Sequence, residues 1–258
     1  MFPRLPVLLY HHVGHPIPTP FPEFTVGPER FSNHMHWLKT WEFTPISPIH
    51  WVAACRKERS LPRKPAMITF DDAYADLSEF AFPVLQELEF RATVFVPTAK
   101  VGAANDWDRG RGAPCMAVLS QEDIRYWHGK GIEFGCHSRH HVDLTNVEKD
   151  VLSDEVAGSL LELTAILDER VCSFAYPWGQ YDACVEKAAV ESFEIAFTTE
   201  EGLNNWNTNP YRMRRTMVQH DDGKVALYCR LQHGYYPLQY WRDRIRLRTR
   251  LKHALRRG

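Results

Sequence analysis

The chain alternates short apolar runs with longer segments in which apolar residues return every three or four positions. The runs at Val7–Tyr10, 66–70, 92–96, 132–136, 172–176 and 195–198 read as strands, short and bounded by Pro, Gly or charged residues. Between them, Phe31, Met35 and Leu38 share one helical face. Phe80, Val84 and Leu88 share another within 75–88, where Pro83 must bend the helix or start a second one. Ser120 before Glu122 and Asp123 reads as a helix N-cap with an acidic first turn. The longest helical pattern is 146–169, with Val147, Val151, Val156, Leu160, Leu163 and Leu167 roughly in phase, and 182–191 is a further helix. Two stretches, 15–28 and 101–114, lack a period and read as loops, the second long enough to suggest a functional role. Strand–helix alternation predicts a mostly parallel sheet, either a barrel or doubly wound, in one domain over residues 1–240.

Composition narrows the class. With 44% hydrophobic and 24% charged residues over 258 positions, the chain is an ordinary globular sequence able to bury a large core. The net charge of −1 hides an asymmetry. Residues 241–258 carry eight Lys/Arg against Asp243, a net of +7, which leaves −8 on the other 240 residues. The tail therefore reads either as a disordered solubilising segment, the commoner case, or as a basic amphipathic helix able to lie on an anionic membrane surface. The acidic body argues against nucleic acid as a partner. Six scattered cysteines without a CxxC pair read as thiols and not as a disulfide framework. No signal-peptide pattern and no apolar run near the ~20 residues of a membrane span are found, so the expected location is cytoplasmic, with peripheral contact at the inner membrane surface.

Candidate chemistry lies at the strand ends. Thr69-Phe70-Asp71-Asp72 closes one predicted strand, and His137-Ser138-Arg139-His140-His141 follows another. In parallel α/β architectures the βα loops converge at that edge. One carboxylate with two imidazoles suits a divalent metal and leaves positions open for water and substrate. The adjacent carboxylate is then free to act as a base, kept ionised by the cation. His137/His141 at i, i+4 and His137/His140 at i, i+3 are both geometrically open. Asp71-Asp72 alone could equally cap the helix starting near Ala75. The pattern points to metal-assisted hydrolysis.

A third segment, Tyr176-Pro177-Trp178-Gly179, follows the strand at 172–176. TFDD, HSxxH and YPWG in this order resemble the motifs of the polysaccharide deacetylase family (carbohydrate esterase family four), which includes chitooligosaccharide and poly-N-acetylglucosamine deacetylases. The resemblance covers residues 6–218. It implies a single distorted (β/α) barrel with fewer than eight repeats, a divalent metal that is usually zinc, and hydrolytic removal of an acetyl group from an N-acetylated sugar. It matches Asp71 to the general base, and Asp72, His137 and His141 to the metal ligands. His140 falls on a non-ligand position, and the Trp178 N–H matches the oxyanion donor.

Two departures matter. The family's C-terminal Leu-x-His is not evident, but Leu9-Tyr10-His11 resembles the branch in which that strand is N-terminal, as in poly-N-acetylglucosamine deacetylases. His11 is then the candidate general acid, with His12 beside it. Ala175 stands where many members carry an arginine that orients the base; Arg215 is the candidate replacement, against an ordinary surface arginine. Trp107, beside Asp108, and Trp178 are candidate sugar-stacking walls. His233 has no matching role. An O-acetyl esterase or a non-sugar amide hydrolase would use the same centre. A catalytically idle saccharide- or membrane-binding protein is the rival of another class.

Overall fold

The computed structural model describes residues 4–237, so the basic segment 241–258 lies outside the described residues. The strands are β1 (Val7–Tyr10), β2 (His12–Val13), β3 (Thr25–Val26), β4 (Thr44–Pro45), β5 (Pro65–Phe70), β6 (Thr93–Val96), β7 (Glu133–Cys136), β8 (Ser173–Ala175), β9 (Ile195–Phe197) and β10 (Thr216–Met217). The helices are α1 (Pro28–Thr40), α2 (Pro48–Cys55), α3 (Leu77–Phe80), α4 (Phe82–Glu87), α5 (Gln121–His128), α6 (Lys149–Ser153), α7 (Ser159–Leu167), α8 (Ala183–Ser192) and α9 (Lys224–His233). No helix of the described residues is long and apolar enough to cross a membrane.

Parallel strands curl in the order β10-β1-β5-β6-β7-β8-β9. The last of them turns back onto the chain leading into the first. Thr198 N donates to Met213 O at 2.9 Å and Met213 N to Ala196 O at 3.0 Å, so residues 213–217 close a barrel of seven strands. This is the distorted barrel with fewer than eight repeats, and not the doubly wound sheet. Helices cover its outer face.

Pleating sorts the side chains. Along β1 and β5, Leu8, Tyr10, Ala66, Ile68 and Phe70 point outward into the main core under the helices. Val7 and Met67 point inward with Phe95, Ala175, Ile195 and Phe197, and Trp51 and Val52 of α2 pack onto this inner cluster. Gly135 of β7 faces inward because nothing larger fits: an added Cβ would stand 2.5 Å from Ser173 Oγ and 2.7 Å from the Phe95 ring. The interior is thus mainly apolar toward the N-terminal ends of the strands, where Glu133 at the start of β7 is the exception, and Asp71, Asp72 and Arg215 gather at the C-terminal ends.

Several expected elements change in detail. The segment 75–88 is two helices parted at Ala81, with Pro83 in the first turn of α4, where a missing N–H costs nothing. The capping box at Ser120 forms in full with Asp123. The helix expected over 146–169 begins only at Lys149, Val147 is extended, and Val151 is exposed. Within it, Asp154–Gly158 is wound as a π-helix, which turns Glu155 and Val156 inward. The loop 15–28 contains β3, paired in parallel with β2. β4, α2, β10 and α9 are additions that no periodic pattern announced.

Candidate metal centre and active site

β5 ends at Phe70 and the chain turns sharply. Asp72 and Ala73 take φ values of 71° and 51°, a left-handed turn that lets the adjacent Asp71 and Asp72 face one site. β7 ends at Cys136, and the following loop places Ser138 and His141 at φ 59° and 56°. Trp178 is at φ 53° in the turn after β8, and Gly179 at 71°. An added Cβ at Gly179 would lie 2.6 Å from Thr199 N, so that turn requires glycine. Left-handed residues cost about 1–3 kcal/mol each and cluster where function fixes the backbone. Among the described residues, five of the nine non-glycine examples lie in these three turns.

The turns bring Asp72, His137 and His141 together, one ligand atom from each within 4.8 Å of the others. Asp72 Oδ1 lies 3.6 Å from His137 Nε2 and 3.2 Å from His141 Nε2. All three residues are buried. Asp72 Oδ1 and His141 Nδ1 find no hydrogen-bond partner among the described residues. A buried carboxylate oxygen facing two imidazole nitrogens is a costly arrangement that a divalent cation would satisfy. His137 Nδ1 donates to Ala175 O at 2.7 Å, which leaves the Nε2 lone pair free for a metal. Burial lowers His137 to about 4 against the pull of Asp71, so its imidazole is neutral and able to ligate near pH 7. The donor set fits a divalent ion. His140 is not part of it: its Nδ1 sits 2.6 Å from Glu155 Oε1, which removes the His137/His140 alternative.

Asp71 faces the same centre, its Oδ2 3.9 Å from His137 Nε2. Arg215 is fully buried and grips Asp71 with both arms, Nη1 to Oδ1 at 2.6 Å and Nη2 to Oδ2 at 2.7 Å. Its Nε donates to Thr198 O at 2.8 Å, and its guanidinium lies 5.5 Å from the Phe95 ring centroid. Burial pushes Asp71 up, but the Arg215 charge and hydrogen bonds, with His137, outweigh it and hold the carboxyl below its usual range. Arg215 is therefore no surface residue, and it delivers a guanidinium into the barrel interior that Ala175 also faces.

A cavity of about 340 Å³ opens over these groups, and its aromatic lining includes Phe21, Phe24, Trp107 and Trp178. The Trp107 ring stacks on His141 at 4.4 Å and 25°, while Trp178 meets the same imidazole edge-on at 4.4 Å. Trp107 thus supports a candidate ligand as well as lining the cavity. His11 reaches the cavity with its ring 4.7 Å from Phe24. Burial lowers its pKa, opposed by the charges of Asp72 and Asp71. His12 is tied down, its Nδ1 2.8 Å from Asp76 Oδ2 and its ring stacked 3.6 Å from Tyr74. His233 ends α9 and lines a separate cleft with Arg4 and Tyr235, away from this centre. Tyr74, Asp76 and Glu155 were invisible in sequence, because each acts through a partner remote along the chain.

A parallel barrel with an Asp-His-His cluster and a paired carboxylate at its C-terminal mouth is the architecture of a metal-assisted hydrolase. The chain belongs to the polysaccharide deacetylase family, whose model matches residues 58–193, more than half of its length. YxkH of Bacillus subtilis, a polysaccharide deacetylase-type protein, is 25% identical over 218 residues, 83% of this chain and 71% of that one. The poly-β-1,6-N-acetyl-D-glucosamine N-deacetylase of Staphylococcus aureus is 22% identical over 211 residues, 77% of this chain and 69% of the other. Among solved structures, the Streptococcus pyogenes deacetylase PplD superposes with a TM-score of 0.74 at 22% identity, over 86% of this chain and 95% of that one. IcaB of Ammonifex degensii gives 0.74 at 20%, over 90% and 97%. Both share the fold.

Proposed function

We propose that this protein removes the acetyl group from an N-acetylated sugar, with Asp72, His137 and His141 holding zinc. The observation that carries the reading is the pairing of an unsatisfied Asp-His-His cluster with a second carboxylate clamped by a buried arginine, in one aromatic-walled cavity. Borderline nitrogen and oxygen donors in this number favour zinc with open coordination positions. When bound, such an ion acidifies water and polarises a carbonyl.

The chain's own residues supply the rest. Asp71, held ionised and oriented by Arg215, accepts the proton of the attacking water. The Trp178 N–H, fixed by its left-handed turn, donates to the oxyanion that develops on the acetyl oxygen. His11 protonates the departing amine; burial disfavours its charged form while the charges of Asp72 and Asp71 favour it, so it must take up the proton before it delivers it. Trp107 and Trp178 offer ring faces to a pyranose. In this reading residues 1–240 form the catalytic domain, working in the cytoplasm. The basic segment 241–258 would hold it near an anionic membrane surface, within reach of a lipid-linked or nascent saccharide as substrate.

The test is acetate release from N-acetylglucosamine oligomers and from O-acetylated xylan, after chelation and after zinc is restored. Zinc-dependent release from the N-acetyl substrates is expected. Asp71→Asn should lose about 10²–10⁴-fold in turnover while binding zinc normally. Normal turnover in that variant would remove Asp71 as the base. Release from the O-acetyl substrate alone would reassign the protein as an esterase, and zinc-loaded protein that releases nothing would point to a small or lipid-linked substrate outside this panel.

A further inference from the structure

The loop that carries His137 and His141 is pinned from two sides. On one, the Thr98 and Ala99 amides donate to the carbonyls of Ser138 and Arg139 at 3.1 and 2.9 Å. On the other, the amides of Arg139 and His140 both donate to Oε2 of Glu155 at 2.9 Å, and His140 Nδ1 sits 2.6 Å from its Oε1. Glu155 is 3% exposed. A carboxylate this deep is expensive unless its oxygens are filled, and two charge-assisted backbone bonds with an imidazole fill them. The amides it takes belong to the residues between Ser138 and His141, the two left-handed positions of the loop. Such a backbone persists only where its surroundings over-determine it.

Glu155 reaches this loop through an irregularity. Asp154–Gly158 is the π-wound segment between α6 and α7, and π turns interrupt helices mostly at functional positions. Within that segment Glu155 and Val156, adjacent in sequence, are both buried. Gly158 belongs to the same device: an added Cβ would stand 2.9 Å from Arg139 Cδ. The Arg139 guanidinium crosses that gap to Asp154 and to Glu162.

We propose that Glu155 is a positioning residue for the metal centre. By holding the Arg139 and His140 amides it fixes the turn that sets His141 Nε2 beside Asp72, and so governs affinity for a divalent ion that it does not touch. The inference rests on reading Asp72, His137 and His141 as a metal site.

Zinc affinity of the wild-type protein and of Glu155→Ala, Glu155→Asp and Glu155→Gln, measured by competition with a chromogenic chelator, tests it. Chemical denaturation of each apoprotein reports fold stability separately. Glu155→Ala should bind zinc about 10–100-fold more weakly, the range seen when outer-shell partners are lost. Glu155→Gln keeps an oxygen for both amides and should stay within about threefold of wild type, while the shorter Glu155→Asp should lose about tenfold. If Glu155→Ala does not fold, Glu155→Asp decides. Wild-type affinity in the folded Ala or Asp variants overturns the proposal and leaves the metal reading intact. Absence of zinc binding in the wild type overturns the metal reading, and this proposal with it.

Discussion

Arg215→Met offers the sharpest probe of the site. Methionine fills much of the same barrel interior against Phe95 and Phe197 but strips Asp71 of two hydrogen bonds at 2.6 and 2.7 Å and of its neutralising charge. Both side chains are buried, so solvent cannot stand in. Removing one partner of a buried pair costs about 3–5 kcal/mol, because the remaining charge stays buried and unpaired. The same change moves the acidity of Asp71. Two unit charges ~4 Å apart at an effective dielectric near 20 interact by about 4 kcal/mol, an upper figure equivalent to about three pH units. The sign follows from the wild type. There Asp71 is held below its usual range, so its stability contribution is present above the unfolded pKa and lost as pH falls through the folded one. With Arg215 gone, burial alone raises Asp71, and a base that must be ionised fails at higher pH. Denaturant unfolding of the chelated apoprotein should show the stability loss, and the acid limb of the kcat/KM profile should rise by about one to three units. Arg215→Lys, which cannot offer a fork, should fall between. An Arg215→Met protein with unchanged stability and an unmoved acid limb would refute the argument.

Two further expectations use other parts of the molecule. His11→Ala should lower kcat on an N-acetyl sugar by about 10²–10⁴-fold yet largely spare an activated aryl acetate, whose leaving group needs no proton; equal losses on both substrates would remove His11 as the acid. Glu133, below the barrel, is pushed up to about 7 by burial, against bonds from Ser47 and Ile49. Its raised pKa means that its contribution is full below the unfolded value and lost as pH climbs to about 7. Glu133→Gln should therefore match wild-type stability near pH 4.5 and exceed it by about 2–3 kcal/mol above pH 7.5, followed by urea unfolding across pH. A pH-independent difference would count against this account.

The sequence by itself determined the pieces that short-range physics governs. Apolar runs of strand length located β1, β5, β6, β7, β8 and β9, and Ser120 with Asp123 announced the start of α5, because burial periodicity and capping are local. Asp71, Asp72, His137 and His141 stood out because each pair is close along the chain and follows a strand. The helix over 146–169 was misread in its details because periodicity cannot distinguish an α register from one with an inserted π turn. β10 escaped notice because two residues carry no period.

Tertiary structure decided everything that joins distant positions. Nothing local separates Arg215 from Arg214 as a buried partner, yet closure of the barrel through residues 213–217 sends one guanidinium inward to a carboxylate 144 positions away. Of two neighbouring imidazoles that both line the cavity, His12 has its Nδ1 taken by Asp76. Glu155 looks like any solvated helical glutamate until the π turn buries it beneath the His137–His141 loop. The physical reason is common to all three. A pattern along the chain reports which face of an element is apolar, whereas the partner of a buried charge is chosen only when the elements close around it.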